Sequence, residues 1–205
     1  MRPTKSHRRA AAVLLLALAA NVAVFAKPAD EAAARMRAGT AEVLKFVYDT
    51  PHDGKPLSAG AMPIIEKYFD LETITKRAIG PGWKSFSPEQ QKDAVRLFSD
   101  VVLRTYADRF EPAERPNITY QTPSVLTPEK VELPTTIGYL GKKYSVVYRV
   151  EKAGSADWSV TDVIIEGVSM IGNYRAQFNA VYQKGGAAAV LHSLQDTLAK
   201  LGPPK

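Results

Sequence analysis

The hydrophobic period of this chain changes at Pro116, and that change limits the folds open to it. Before Pro116 the apolar residues recur at helical spacing. Between Ile118 and Val168 they alternate, and from Ile171 onward the helical spacing returns. A stripe of period 3.6 buries one side of a helix and a stripe of period 2 buries one side of a strand, so neither substitutes for the other. The order helices, strands, helices predicts an α+β domain in which an antiparallel sheet is packed by several helices.

The first helix is predicted from Pro28 and Asp30 to Asp49, with Met36, Val43, Leu44, Val47 and Tyr48 as a loose stripe. Thr50-Pro51-His52-Asp53-Gly54 breaks it. Met62 to Phe69 and Leu71 to Ile79 read as two short helices, the second stopped by Gly80-Pro81-Gly82. Ser87-Pro88-Glu89-Gln90 is a helix start, with Ser87 as cap, Pro88 in the first helical position and Gln90 closing a capping box. That helix is expected to reach about Phe110, with Ala94, Phe98, Val101, Val102 and Tyr106 on its apolar face.

Four strands follow: Ile118–Thr122, Val131–Tyr139, Tyr144–Lys152 and Trp158–Val168, with the last two forming a hairpin through Ala153–Ala156. Pro134 is expected to bulge or end its strand, or to hold it at an edge. Simple alternation puts Trp158, Val160, Asp162, Ile164 and Glu166 on one face of the fourth strand, and Thr161, Val163 and Ile165 on the other. Helices over Ile171–Gln183 and Ala187–Leu201, separated by Gly185-Gly186, close the chain.

Residues 1–26 read as an address. Arg2, Lys5, Arg8 and Arg9 precede an Ala/Val/Leu run from Ala10 to Ala20, and Val24-Phe25-Ala26 has the small residues a signal peptidase accepts. The apolar run is shorter than the roughly 20 residues a membrane span needs, so cleavage near Ala26 is expected over a retained anchor. This leaves residues 27–205 as a single exported domain. Four of the 27 basic residues and none of the 21 acidic ones lie in the leader, so the body is nearly neutral despite a formal charge of +6. It carries no electrostatic footprint for nucleic acid. With no cysteine, disulfides, thiolate metal sites and a Cys nucleophile are excluded, and three histidines offer little for a metal.

Catalytic motifs are absent: no H-E-x-x-H, G-x-S-x-G or P-loop occurs. His52 lies in a turn and His192 on the last helix. Asp162 and Glu166 form the one acid pair of interest. Alternation projects both from one face, where they would serve as a base in an enzyme or as ion-pair partners of Arg149 or Arg175. The excess of apolar and aromatic faces fits either a filled core or a hollow interior holding something greasy.

The C-terminal segment Trp158-Ser-Val-Thr-Asp162-Val163-Ile-Ile-Glu166-Gly167-Val168-Ser169, followed by Asn173-Tyr174-Arg175-Ala-Gln177-Phe178, resembles the signature of MlaC-type proteins, also called the toluene-tolerance auxiliary family. Tyr68-Phe69-Asp70, Trp83, Ser87-Pro88-Glu89-Gln90-Gln91 and Leu103-Arg104-Thr105-Tyr106 resemble the same family, so the likeness spans about Ala29 to Leu201.

The resemblance implies a periplasmic phospholipid carrier that uses no cofactor and catalyses nothing. Its partners would be an inner-membrane ABC transporter complex and an outer-membrane lipoprotein–porin complex, and its role the maintenance of outer-membrane lipid asymmetry. It further implies an apolar cavity between sheet and helices, which for two tails should approach about 1,000 Å³. Ile74, Phe98, Val101, Val102 and Tyr106 on the helices and Val147, Val163 and Ile165 on the sheet are the candidate walls, with Tyr174 and Phe178 beyond them. Arg175 would meet a phosphate or pair with Asp162 or Glu166. The alternatives are a hopanoid-associated carrier of the same family, an enzyme of similar fold using Asp162 or Glu166, and a protein-binding adaptor with a filled interior.

Overall fold

The computed structural model describes residues 6–52, 57–107, 114–153 and 157–202, with side chains from residue 27 onward except 58–59. The predicted leader therefore lies outside the residues whose side chains are described. Helix α1 runs Ser6–Asp49, α2 Leu57–Tyr68 and α3 Leu71–Ile79; a 3₁₀ turn at Gly80–Ser85 leads into α4, Pro88–Ala107. The predicted end of that helix at Phe110 falls outside the described residues. The capping box forms as expected. Ser87 Oγ accepts from the Gln90 N–H at 3.2 Å, and Gln90 Oε1 accepts from the Ser87 N–H at 2.9 Å.

The sheet has six strands rather than four: β1 Asn117–Tyr120, β2 Ser124–Thr127, β3 Lys130–Tyr139, β4 Lys142–Lys152, β5 Trp158–Ile165 and β6 Val168–Ser169. All ladders are antiparallel, in the order β1-β3-β4-β5-β6, with β2 also paired to β3. The two extra strands have simple causes. Thr122–Lys130 reads as a loop because its strand is only four residues long, with a register shift between Val125 and Thr127 and prolines on both sides, yet Ser124–Thr127 pairs with β3. The predicted fourth strand is cut at Glu166-Gly167, where φ is 50° and 79°, a pair of left-handed residues that reverses the chain into β6.

Pro134 neither ends nor bulges β3. It pairs with Val147 of β4, and its carbonyl accepts from the Gln121 N–H at 2.9 Å, in the gap between β1 and β2. A residue's N and C=O point to the same side of a strand. The missing donor therefore faces the one stretch where the neighbouring strand is interrupted, which gives β3 a local edge.

A bulge redistributes β5. Arg149 pairs with Asp162 but Val150 pairs with Val160, so Thr161 is an extra residue. The alternation shifts there. Val163, across from Tyr148, joins Val160 and Trp158 on the apolar face, while Asp162 turns to the opposite face beside Arg149. The single uninterrupted face expected for Trp158, Val160 and Asp162 is corrected accordingly.

Asp162, 4% exposed, is the junction between sheet and last helix. It accepts from the Val163 N–H (2.9 Å), the Ile171 N–H (3.2 Å), Ser169 Oγ (2.7 Å) and Arg149 Nη1 (3.3 Å). Ser169 in turn caps α5, Met170–Leu201, accepting from the Gly172 N–H at 3.0 Å. Glu166 is not its partner: it lies in the turn, exposed, and binds the Ser145 N–H. Arg175 pairs with neither acid. Its guanidinium donates to the Arg77 carbonyl at the end of α3, with Nε at 2.7 Å. The predicted break at Gly185-Gly186 appears as a kink inside α5, with Gly186 at φ 62°.

Two hydrophobic clusters result. One joins α3, the 3₁₀ turn, α4 and α5 around Phe98 and Val101, 1% and 2% exposed. The other joins α1 to the apolar face of the sheet through Ala32, Met36, Val131, Leu133, Val150 and Val160. Behind that face lies a polar ladder. Arg149 bridges Glu132 and Asp162, and Arg77 and Lys130 hold the Glu151 carboxyl down to about 2, chiefly through the Arg77 hydrogen bonds.

Removing the junction strands four donors, two of them at the base of α5. Asp162→Ala is expected to lower unfolding stability by about 2–3 kcal/mol in urea titrations. A loss under about 1 kcal/mol contradicts the junction role.

Candidate functional site

The described residues line a partly open apolar pocket of about 260 Å³ between the α1–α2 pair and the sheet. Helix α1 supplies one wall through Met36, Thr40, Val43, Leu44 and Val47, a spacing of four, three, one and three residues that keeps them on one side. Helix α2 supplies Leu57, Ala61, Ile64 and Ile65; α4 closes one end with Leu103 and Tyr106. The sheet contributes Ile118, Ile137 and Tyr148, one from each of β1, β3 and β4. Register places Ile118 opposite Ile137, so these two form a cross-strand pair on the pocket floor.

The walls are held apart by a tight α1–α2 joint. A Cβ on Gly39 would lie 2.8 Å from the Tyr68 ring, so only glycine admits this approach. The Tyr68 hydroxyl and Lys67 Nζ both donate to Glu42 Oε2, at 2.7 and 2.8 Å, and the Arg35 guanidinium lies 4.4 Å from the centre of the Tyr68 ring. Those two hydrogen bonds lower the Glu42 pKa, that from Lys67 contributing most, and leave the carboxylate charged outside the apolar space.

Polar atoms on the wall are mostly engaged elsewhere. Thr40 Oγ1 donates to the Met36 carbonyl at 2.9 Å, which leaves its methyl for the pocket. Tyr148 keeps an accessible face, and that face is pocket wall. Burial pushes its phenol up to about 12. A larger cleft of about 500 Å³ lies outside, between α2, α3 and α4, but Glu66, Glu72, Lys92, Arg96 and Asp100 put five charged side chains on its lining.

Of the ten residues expected from sequence to line a cavity, Tyr106 lies on the pocket wall. Ile74, Phe98, Val101 and Phe178 sit in the helical cluster, with Val102 and Tyr174 packed against it. Phe98 meets Tyr174 and Phe178 edge-on, ring centres 4.7 and 5.2 Å apart. Val163 packs on the sheet cluster, and Ile165, paired with Val146, shares its face. Val147, paired with Pro134 and Ile164, points to the opposite face. The α1 and α2 residues were missed because α4 carries the stronger amphipathic signal, although Met36, Val43, Leu44 and Val47 already stood out as a stripe.

The model of the family described as MlaC protein matches residues 40–196. This chain belongs to the MlaC family. The matched span takes in much of the pocket, from Thr40 on α1 through Tyr148, together with the Asp162 junction. The solved structure of a phospholipid-binding protein from Ralstonia solanacearum, in complex with a phospholipid, has a TM-score of 0.76 to this MlaC-family chain at 24% identity. The likeness covers 84% of this chain and 99% of that one, and establishes the shared fold. No curated protein matches the chain. Among the described residues no helix is long and apolar enough to cross a membrane, and no cluster of acids and histidines is placed to hold a metal.

The Tyr148 phenol gives a pH signature. The unfolded chain releases this proton near 10.0 and the folded one near 12, so folding stability falls as pH rises above 10. Tyr148→Phe is expected to lose less stability than the wild type between about pH 8 and pH 11 in denaturant titrations; equal losses contradict a buried phenol.

Proposed function

We propose that this chain is an exported phospholipid carrier whose acyl tails enter the pocket between α1–α2 and the sheet. The observation that carries this reading is the pocket itself: hydrocarbon walls from three helices and three strands, with the α1–α2 charges turned outward. Membership of the MlaC family and the fold shared with a phospholipid-binding protein support it.

Physical chemistry sets what such a carrier must do. A two-tailed lipid has roughly 30 methylenes, each costing about 0.8 kcal/mol in water, so bare transit costs on the order of 24 kcal/mol. A dry pocket offsets that cost, and few polar contacts keep release to a bilayer feasible. At about 260 Å³ the pocket is below the range of ordinary small-molecule sites and far short of the roughly 1,000 Å³ two tails were expected to need. Loading therefore widens it, and the boundary that gives is the apolar part of the α1–α2 contact with the sheet, beyond the Glu31 and Arg35 hydrogen bonds that hold α1 to β4 and β5. The polar α1–α2 joint and the Asp162 junction stay intact.

In this reading Met36, Val43, Leu44 and Ile64 join Tyr106 and Tyr148 as tail contacts. Residues 1–26 direct export to the periplasm and are removed near Ala26. The loaded protein then exchanges lipid with an inner-membrane ABC transporter complex and an outer-membrane lipoprotein–porin complex, which keeps the outer leaflet free of stray phospholipid. No catalysis is involved: Asp162 is occupied by four donors and is far better suited to holding α5 than to moving protons.

Val43→Trp fills the pocket from the α1 side. Protein purified without detergent is expected to carry stoichiometric phospholipid in native mass spectrometry, and the variant at least about tenfold less, with its circular dichroism unchanged. A lipid-free wild type, or equal loading of the folded variant, contradicts the proposal.

A further inference from the structure

The pocket wall holds phenols whose hydroxyls are not all accounted for. Tyr68 donates to Glu42, and Tyr106 has a partner. The Tyr48 hydroxyl is buried with no hydrogen-bond partner among the described residues. The Tyr148 hydroxyl makes no hydrogen bond among the described residues either, though it is not sealed off as that of Tyr48 is; it stands in the middle of β4, between Leu133 and Val163, with its accessible surface toward the pocket. Phenylalanine would supply the same ring without an unmet donor. A hydroxyl that lines an apolar pocket without a partner loses its water when the pocket fills, so its presence there points to an acceptor that arrives with the ligand.

The chemistry of that acceptor follows from its surroundings. Alkyl tails have none. A phosphate is charged, and drawing it between Leu44, Ile64 and Ile137 would strip its water with no cation on the wall to compensate. An acyl ester carbonyl is neutral, accepts hydrogen bonds, and lies where tails join the headgroup.

We propose that Tyr148 donates a hydrogen bond to an acyl ester carbonyl of the bound lipid, so that the pocket selects ester-linked acyl lipids over ether-linked lipids and polycyclic hydrocarbons. This rests on the carrier reading and deepens it. Tyr48, at the end of α1, is the second donor available to the same pair of esters. The phenolic proton stays on Tyr148 at any physiological pH, so the selection is independent of pH in that range.

The test is competition. Purified protein is incubated with vesicles holding equal amounts of dipalmitoyl phosphatidylglycerol and its dihexadecyl ether analogue, and bound lipid is measured by mass spectrometry. One neutral hydrogen bond corresponds to an enrichment of about fivefold, so the wild type is expected to favour the diester by that factor. Tyr148→Phe is expected to bring the ratio to about one. Tyr48→Phe lowers the ratio in part. Tyr182→Phe, whose hydroxyl lies 2.7 Å from Ser85 Oγ away from the pocket, keeps the wild-type ratio. A wild-type ratio of one overturns the ester contact, as does Tyr148→Phe with the wild-type preference. If the wild type takes up neither lipid, the carrier reading falls and this inference with it; loading without preference removes the inference alone.

Discussion

The Asp162 carboxylate lets this chain keep two separate hydrophobic interiors. An unpaired buried carboxylate is costly, but here four donors from β4, β5, β6 and the start of α5 converge on it. The bulge at Thr161 is what turns Asp162 to the polar side while Val160 and Val163 stay on the apolar one. Helix α5 is thereby fixed at the β5–β6 edge, and it gathers α3 and α4 around Phe98. The remaining face of the sheet is left to α1 and α2, with the end of α4 closing one side.

That division gives the two interiors different properties. The helical cluster is filled by interlocked rings, and the Arg175 guanidinium closes the end of α3 above it. The second interior is bounded by helices joined firmly to each other, through Gly39 against Tyr68 and through Glu42; α1 is hydrogen-bonded to β4 and β5 at its Glu31 and Arg35 end, and from Thr40 to Val47 it faces the pocket through hydrocarbon. Apolar contacts carry no directional requirement, so this boundary yields at lower cost than a hydrogen-bonded one. A carrier needs such a boundary, because cargo has to enter and leave without the fold being dismantled.

Local signals made much of the fold legible in the sequence. Ser87 and Gln90 marked the start of α4, Gly185-Gly186 marked the kink in α5, and the alternation after Pro116 gave β3, β4 and the body of β5. Two strands were hidden because one is four residues long and the other lies beyond a left-handed turn. Register errors on β5 had a single source: a bulge adds one residue, and alternation cannot reveal it. The site was harder to read. Phe98, Val101 and Phe178 have the periodicity of buried residues, and a filled core and a pocket wall produce the same pattern. Only the packing separates the α4 face, which closes on α5, from the α1 stripe, which closes on the sheet at Met36 and borders the pocket from Thr40 to Val47. The family signature itself proves architectural: Asp162, Gly167 and Ser169 build the turn and cap that position α5, and Arg175 ties that helix to α3.

The central claim is that the tails lie between α1–α2 and the sheet, not inside the helical cluster. Photolabelling reads this directly, using a phospholipid with a diazirine in the middle of one acyl chain and peptide mapping of the adducts. The account predicts adducts on α1, α2 and the pocket floor, at residues such as Val43, Leu44, Ile64 and Ile137. Adducts concentrated on Phe98, Val101 and Phe178 would contradict it.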